Sequence, residues 1–219
     1  MKSKTDLMKE ELVRLCQLHQ ILPTNLNQIV DKAAEHFSLL LKWNQKISLT
    51  TITDPKQAAE QLYFESLFAT KFISTEINSI VDIGTGAGFP GLPICFAKTD
   101  LSITLIEADK RKAAFLAEVR RSLNLSNLKI VNDRFENLLL ESDLITVRAL
   151  EKLENQTPKI IEKSTRSKLI ILFISLQTAN NILSAYKNNL LSQKSEIVAL
   201  PESKNRVLLL FYKKDECFT

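Results

Sequence analysis

Four glycines occur in this chain of 219 residues, and all four fall within positions 84–91. They stand in Val81-Asp82-Ile83-Gly84-Thr85-Gly86-Ala87-Gly88-Phe89-Pro90-Gly91. Glycine lets the backbone reach positive φ, or lie against a ligand with no Cβ between, and it costs entropy wherever it is used. A chain that confines it to one run behind a β-rich segment is building a ligand-binding turn. The fold has to deliver that turn at the end of a strand.

The pattern around the turn supplies such a strand. From residue 79 onward, short β-rich runs at Ile80–Ile83, Ile103–Glu107, Lys129–Val131, Leu144–Val147 and Lys168–Ile174 alternate with helical ones at Leu92–Lys98, Lys110–Leu123 and Thr178–Asn189. Strand–helix alternation implies right-handed crossovers and a parallel sheet covered on both faces. Ser195–Leu200 and Arg206–Tyr212 are separated only by 201–205, too few residues for a helix, so they form a hairpin and the last strand runs antiparallel to its neighbour. The expected fold is α/β: a seven-stranded Rossmann-like sheet with a terminal antiparallel hairpin strand.

Residues 1–78 read as helix. Asp6 can cap a segment running to about Leu22, before Pro23, and Thr24 or Asn25 opens a second with apolar residues at helical spacing. Asp54-Pro55, an N-cap with proline at the first helical position, opens a third. We expect an N-terminal helical cap over 1–78 that does not fold independently, then a ligand-binding domain over 79–219, with the boundary at 74–78.

Composition narrows the class. Hydrophobic content of 45% and charged content of 25% are those of an ordinary globular protein. The N-terminus is charged from the start, unlike a secretory signal, and the most apolar stretch, Leu169–Ile174, is too short to span a bilayer. Cys16, Cys95 and Cys217 lack metal-ligand spacing, which fits reduced thiols in the cytoplasm and no metal site. Residues 1–78 balance nine basic against nine acidic side chains. Residues 110–134 instead carry Lys110, Arg111, Lys112, Arg120, Arg121, Lys129 and Arg134 against Glu118 and Asp133. That run suits either a polyanion or a merely solvated helix face.

Two ligands compete for the turn. A dinucleotide fingerprint Gly-x-Gly-x-x-Gly fails from Gly84, where Phe89 takes the third position, and succeeds only formally from Gly86 through Gly88 and Gly91. A pyrophosphate needs bare backbone N–H groups at a helix N-terminus, and the Asp82 carboxylate two residues before the turn repels it. S-adenosylmethionine has no phosphate, and its sulfonium and ammonium welcome a carboxylate. Glu107, ending the next strand, can accept both ribose hydroxyls of either cofactor. Asp82 and the glycines favour adenosylmethionine, and a nicotinamide oxidoreductase stays as the alternative.

The segment Asp82 to Pro93, with its Gly-Phe-Pro-Gly continuation, resembles the cofactor motif of the RsmG family, also called glucose-inhibited division protein B. Lys42-Trp43-Asn44 with Leu49-Thr50 and Asp54-Pro55, Lys110-Arg111 with Phe115-Leu116, Arg134-Phe135-Glu136 and Arg148-Ala149 extend the resemblance along the chain. It implies a class I methyltransferase that methylates guanine N7 in 16S ribosomal RNA, working as a monomer on RNA or the small subunit. Asp82 and Gly86 are expected beside the cofactor from the turn itself; carried over by position, Gly84, Phe89, Phe135, Glu136 and Arg148 would contact adenosylmethionine, and Glu107 its ribose. Lys110, Arg111 and Arg134 are the candidate substrate contacts. The chain departs from the family where Ser48 replaces Asn, Thr53 Arg, Leu62 His and Glu65 Asp, and where Ser175-Leu176-Gln177 replaces Lys-Gly-Gln. Those departures motivate a third reading, an RNA-binding homologue without turnover.

No histidine–carboxylate pair offers a general base. His19 and His36, on the N-terminal helices, read as surface or satisfied residues. Guanine N7 needs no base, because its lone pair is already free in the ring plane. Arg148 is the positioning candidate, holding a cofactor carboxylate or a substrate phosphate through its planar fork; the alternative is an ion pair with Glu151 or Glu154. Trp43 is expected to pack between cap and body rather than stack on a base. Phe89 is either pocket wall or core.

Overall fold

The computed structural model describes residues 2–186 and 193–213. Within them, seven strands form one sheet: β1 Ser79–Ile83, β2 Ser102–Ile106, β3 Leu128–Val131, β4 Leu144–Arg148, β5 Leu169–Ser175, β6 Gln193–Ala199 and β7 Arg206–Lys213. Their order is β3-β2-β1-β4-β5-β7-β6. The first five are parallel, and β7 inserts antiparallel between β5 and β6, with Ile171 opposite Leu210 and Ile197 opposite Leu209. The expected sheet and hairpin are present. Chain order reverses between β1 and β4, and in such sheets ligands bind beyond the carboxyl ends of the strands at that point. The glycine turn leaves β1 there.

Helices α5 (Gly91–Ala97) and α6 (Lys110–Ser122) cover one face of the sheet, and α7 (Leu153–Lys163) and α8 (Leu176–Ala185) the other. Helix α7 was not foreseen, because its Pro158 and its polar first turn break the apolar spacing. Proline removes the N–H that would bond the carbonyl four residues earlier. That carbonyl, of Glu154, accepts instead from Tyr186 Oη at 3.2 Å. Helix α8 begins at Leu176, capped by the Ser175 hydroxyl, and its expected end at Asn189 lies outside the described residues, as does Cys217.

The cap consists of α1 (Lys4–Leu18), α2 (Leu26–Asn44) and a continuous helical run through α3 (Pro55–Ala58), a π segment (Ala59–Phe64), α4 (Glu65–Phe68) and a 3₁₀ turn (Ala69–Phe72). Ser3, not Asp6, caps α1: its hydroxyl accepts from the Asp6 N–H while the Asp6 carboxylate reaches back to the Ser3 N–H, a reciprocal capping box. The helix also stops at Leu18, short of Leu22, because Gln20 takes the left-handed conformation at φ 55°. Asp54 caps α3 as its sequence implies.

One hydrophobic cluster runs without a break from the cap (Met8, Leu12, Phe37, Tyr63) into α5, α6 and the sheet (Phe96, Phe115, Ile103, Leu210). Trp43 sits at that seam, as expected. Its ring stands edge-on to Phe115 at 5.7 Å and its Nε1 donates to Glu118 at 3.2 Å. The two buried cysteines carry thiols that burial pushes up to about 12 at Cys16 and about 11 at Cys95, consistent with packing rather than reactivity. Because cap and sheet share one cluster, residues 79–219 expressed alone should expose Phe96 and Phe115 and lose their cooperative thermal transition. A fragment melting sharply near the full chain would contradict this.

Candidate functional site

The turn after β1 is held from below by Asp82. This side chain has no exposed surface, and its carboxylate accepts three hydrogen bonds: from Thr85 Oγ1 at 2.5 Å, from the Gly91 N–H at 3.0 Å and from Thr146 Oγ1 on β4 at 2.8 Å. Burial pushes its pKa up to about 6, while the three donors pull it down. The expectation that Asp82 faces the ligand is therefore corrected. A strand-end side chain points to one face of the sheet only, and here that face is the interior. The residue still excludes a pyrophosphate, because it occupies the Gly91 N–H at the start of α5, where a phosphate would have to bind.

The glycines divide between two duties. Gly84 and Gly86 lie at φ 64° and 60°, in the left-handed region, and a Cβ on Gly86 would meet nothing closer than 4.0 Å, so its outer side is open. A Cβ on Gly91 would instead lie 2.3 Å from Leu105 and 2.8 Å from Asp82 Oδ2, and one on Gly88 2.2 Å from Leu92. These two are required by packing, not by a ligand. The turn's start is tied to β2, with the Gly84 and Thr85 N–H groups both donating to the Ile106 carbonyl.

The cap grips the turn from its other side. His36 on α2 is fully buried, with Nε2 3.0 Å from the Ala87 carbonyl oxygen and Nδ1 3.0 Å from Tyr63 Oη. A carbonyl can only accept, so Nε2 carries the proton and Tyr63 donates to Nδ1. Phe89 closes this cluster, 5.3 Å from the His36 ring and 5.2 Å from Tyr63. The Phe89 side chain packs inside this cluster and does not line the cleft beyond the turn, which corrects its placement as a cofactor contact. His19 is likewise satisfied, bonded to Glu202 at 2.9 Å.

Beyond the turn lies a cleft of about 650 Å³, lined among others by Gly84, Glu107, Lys112, Arg134, Phe135 and Glu136. Glu107 stands at its floor: one carboxylate oxygen accepts from the Gly86 N–H and the other from the Asp109 N–H, each at 2.8 Å. Each oxygen keeps a free acceptor site, which suits a pair of neighbouring hydroxyls. Five acids (Glu107, Asp109, Asp133, Glu136, Glu151) and three bases (Lys112, Arg134, Lys152) line the cleft, a balance that favours a cationic ligand over a polyphosphate. Of the substrate candidates, Arg134 reaches the cleft wall, while Lys110 and Arg111 are exposed at the start of α6 outside it. No cluster of three or more metal-ligating side chains occurs among the described residues.

Arg148 ends β4 and turns toward the cap. Its Nη2 donates to the Gln61 carbonyl at 2.5 Å and to Glu65 Oε2 at 2.9 Å, and its guanidinium lies 5.5 Å over the Phe173 ring. Its ion-pair partner is thus Glu65, not Glu151 or Glu154. Arg206 holds the other Glu65 oxygen at 2.6 Å, so one fully buried carboxylate joins two arginines from β4 and β7. Burial raises the Glu65 pKa and the two guanidinium charges oppose that rise. Arg148 Nη1 is buried with no partner, among the described residues the one side-chain nitrogen or oxygen in that condition. Sequence reading missed Glu65 and Arg206 because their meeting depends on how the cap docks. The Asp-to-Glu departure at position 65 was the available signal, since the longer side chain has the reach for two partners.

The residues present fit adenosylmethionine. Gly86 leaves an open face and Glu107 offers paired acceptors. Solved structures share the fold: a human methyltransferase 10 domain containing protein (TM-score 0.59, 14% identity, 84% of this chain and 98% of that one) and M. jannaschii TYW2 in complex with AdoMet (TM-score 0.52, 15% identity, 77% and 78%). Strand order, glycine turn and acidic floor define a Rossmann-like methyltransferase that uses S-adenosylmethionine. Within that class the chain belongs to the rRNA small subunit methyltransferase G family, whose model matches residues 29–209. The Ribosomal RNA small subunit methyltransferase G of Orientia tsutsugamushi (strain Ikeda) is 34% identical over 161 residues, 72% of this chain and 80% of that protein. Its Bacillus pumilus counterpart is 26% identical over 192 residues, 82% and 80%.

His36 gives the site a pH signature. Burial drives its pKa down to about 3, below the unfolded value of about 6.5. Stability from the neutral ring is therefore complete above pH 6.5 and falls as pH drops toward 3, by at most about 1.4 kcal/mol per pH unit. Asp82 has the opposite sign, its contribution being lost as pH rises through about 6, and it is common to wild type and variant. Denaturation of His36→Gln across pH 4–7 should show a shallower acid limb than wild type; parallel limbs would contradict the assignment.

Proposed function

We propose that this chain transfers the methyl group of S-adenosylmethionine to N7 of a guanine in 16S ribosomal RNA, acting as a monomer in the cytoplasm on RNA of the small subunit. The observation that carries the reading is the acidic, glycine-floored cleft at the strand-order reversal, joined to family membership. The cofactor supplies an electrophilic methyl group on a sulfonium centre. Glu107 would accept the ribose hydroxyls, Phe135 and Glu136 would flank the adenine, and Gly84 and Gly86 would let the backbone lie against the ligand. Arg148 Nη1 would meet the cofactor carboxylate or a substrate phosphate.

The acceptor suits a cleft whose lining, among the described residues, includes no histidine. Guanine N7 has an in-plane lone pair and loses no proton on attack, so the protein has only to bring it into line and exclude water. Glu65 holds the Arg148 guanidinium in one orientation, and Arg206 holds Glu65. No histidine is needed at the cleft, and His36 and His19 are occupied elsewhere.

The departures from the family lie outside the cleft lining. Leu62 is buried in the cap core, Ser48 and Thr53 are exposed, and Ser175 spends its hydroxyl capping α8. They support a second reading, an RNA-binding homologue without turnover. Labelled methyl transfer to small-subunit RNA separates the two. Wild type should transfer label, and Arg148→Ala should lower kcat/KM by about 10- to 100-fold, the scale of one lost charged hydrogen bond. Cofactor binding without transfer to RNA or assembled subunits would overturn the enzymatic reading, and an unchanged Arg148→Ala would overturn the role of that residue.

A further inference from the structure

The basic run at 110–134 does not end at the cleft. Helix α6 is 13 residues long, about 18 Å from its first residue to its last, and carries Lys110, Arg111 and Lys112 at the cleft end and Arg120 and Arg121 at the far end. Between α6 and β3 lies a furrow of about 520 Å³ whose lining includes Arg120, Asn127, Lys129 and Asn132. A second of about 430 Å³ shares Ala117, Arg120 and Ser126 with it and adds Arg121 and Asn124. The first furrow starts at the cleft rim, because Asn132 donates to the carbonyl oxygens of Glu107 and Ala108.

Neither furrow has an acidic residue in its lining, unlike the cleft with its five. The two acids of the 110–134 run are engaged elsewhere: Glu118 accepts from Trp43 Nε1, and Asp133 from the Arg134 N–H and Asn137 Nδ2. Arg120, Arg121 and Lys129 are exposed and form no salt bridge among the described residues. Positive charge without an acidic partner therefore faces outward along these furrows, the composition that suits phosphodiesters read without base specificity.

We propose that this α6–β3 path, centred on Arg120, Arg121 and Lys129, binds the phosphodiester backbone of the RNA substrate away from the methylated nucleotide. The inference rests on the RNA reading above and extends it to a surface outside the cofactor cleft. Two local roles compete with it: arginines in a last helical turn offset the helix dipole, and lysine on an edge strand discourages strand pairing. Those roles would affect stability and solubility but not the salt dependence of RNA binding.

The test is the full-length triple variant Arg120→Gln, Arg121→Gln, Lys129→Gln, with small-subunit RNA as probe. Its KM for RNA should rise about tenfold or more near physiological salt, and the slope of log affinity against log salt should shrink by about 2, as for three lost single-strand phosphate contacts. Its dissociation constant for adenosylmethionine should match wild type, which also certifies that the variant is folded. Unchanged RNA KM and salt slope in a variant that binds cofactor normally would overturn the path and leave the RNA reading standing. A wild type that neither binds nor methylates RNA would overturn both.

Discussion

The buried carboxylate of Asp82 is the joint on which the site depends. It ties the end of β1 to its own turn through Thr85, to the start of α5 through Gly91, and to β4 through Thr146. Burying a carboxylate is expensive unless it is hydrogen-bonded, and three donors meet its two oxygens here. Because β1 and β4 flank the strand-order reversal, this one group also fixes the floor of the cleft. It acts by holding backbone in place rather than by meeting the ligand.

Two further contacts position the turn from outside. Glu107 holds the Gly86 N–H from the β2 side, and His36 holds the Ala87 carbonyl from the cap. Three separate elements thus converge on three consecutive residues, Thr85, Gly86 and Ala87, and the turn is held in its ligand-ready shape. Preorganisation of this kind lowers the ordering cost that binding would otherwise meet. It also makes the cap part of the cofactor site, although no cap residue lines the cleft.

Much of this was legible in the sequence. Strand periodicity, the missing helix between the last two strands, and the glycine run placed the sheet, the hairpin and the turn. The position of Glu107 at the cleft was legible because an acid ending the strand next to β1 comes out beside the glycine turn. Local chemistry alone could not tell that Asp82 points inward, since period-2 alternation gives the face but not which face is buried. The sequence did not separate the duties of the four glycines, and only the positions of Leu92 and Leu105 assign Gly88 and Gly91 to packing. The contacts that escaped reading join residues far apart in sequence: Glu65 with Arg148 and Arg206, and His36 with Ala87. Each depends on how the cap docks, which no local pattern encodes.

The central claim is that this turn, held by Asp82, Glu107 and His36, is a cradle for S-adenosylmethionine and not for a dinucleotide. Isothermal titration of the full chain with each cofactor tests it most directly. The account predicts saturable one-to-one binding of adenosylmethionine and none of NAD or NADP. Binding of a nicotinamide dinucleotide, or no binding of adenosylmethionine, would contradict it.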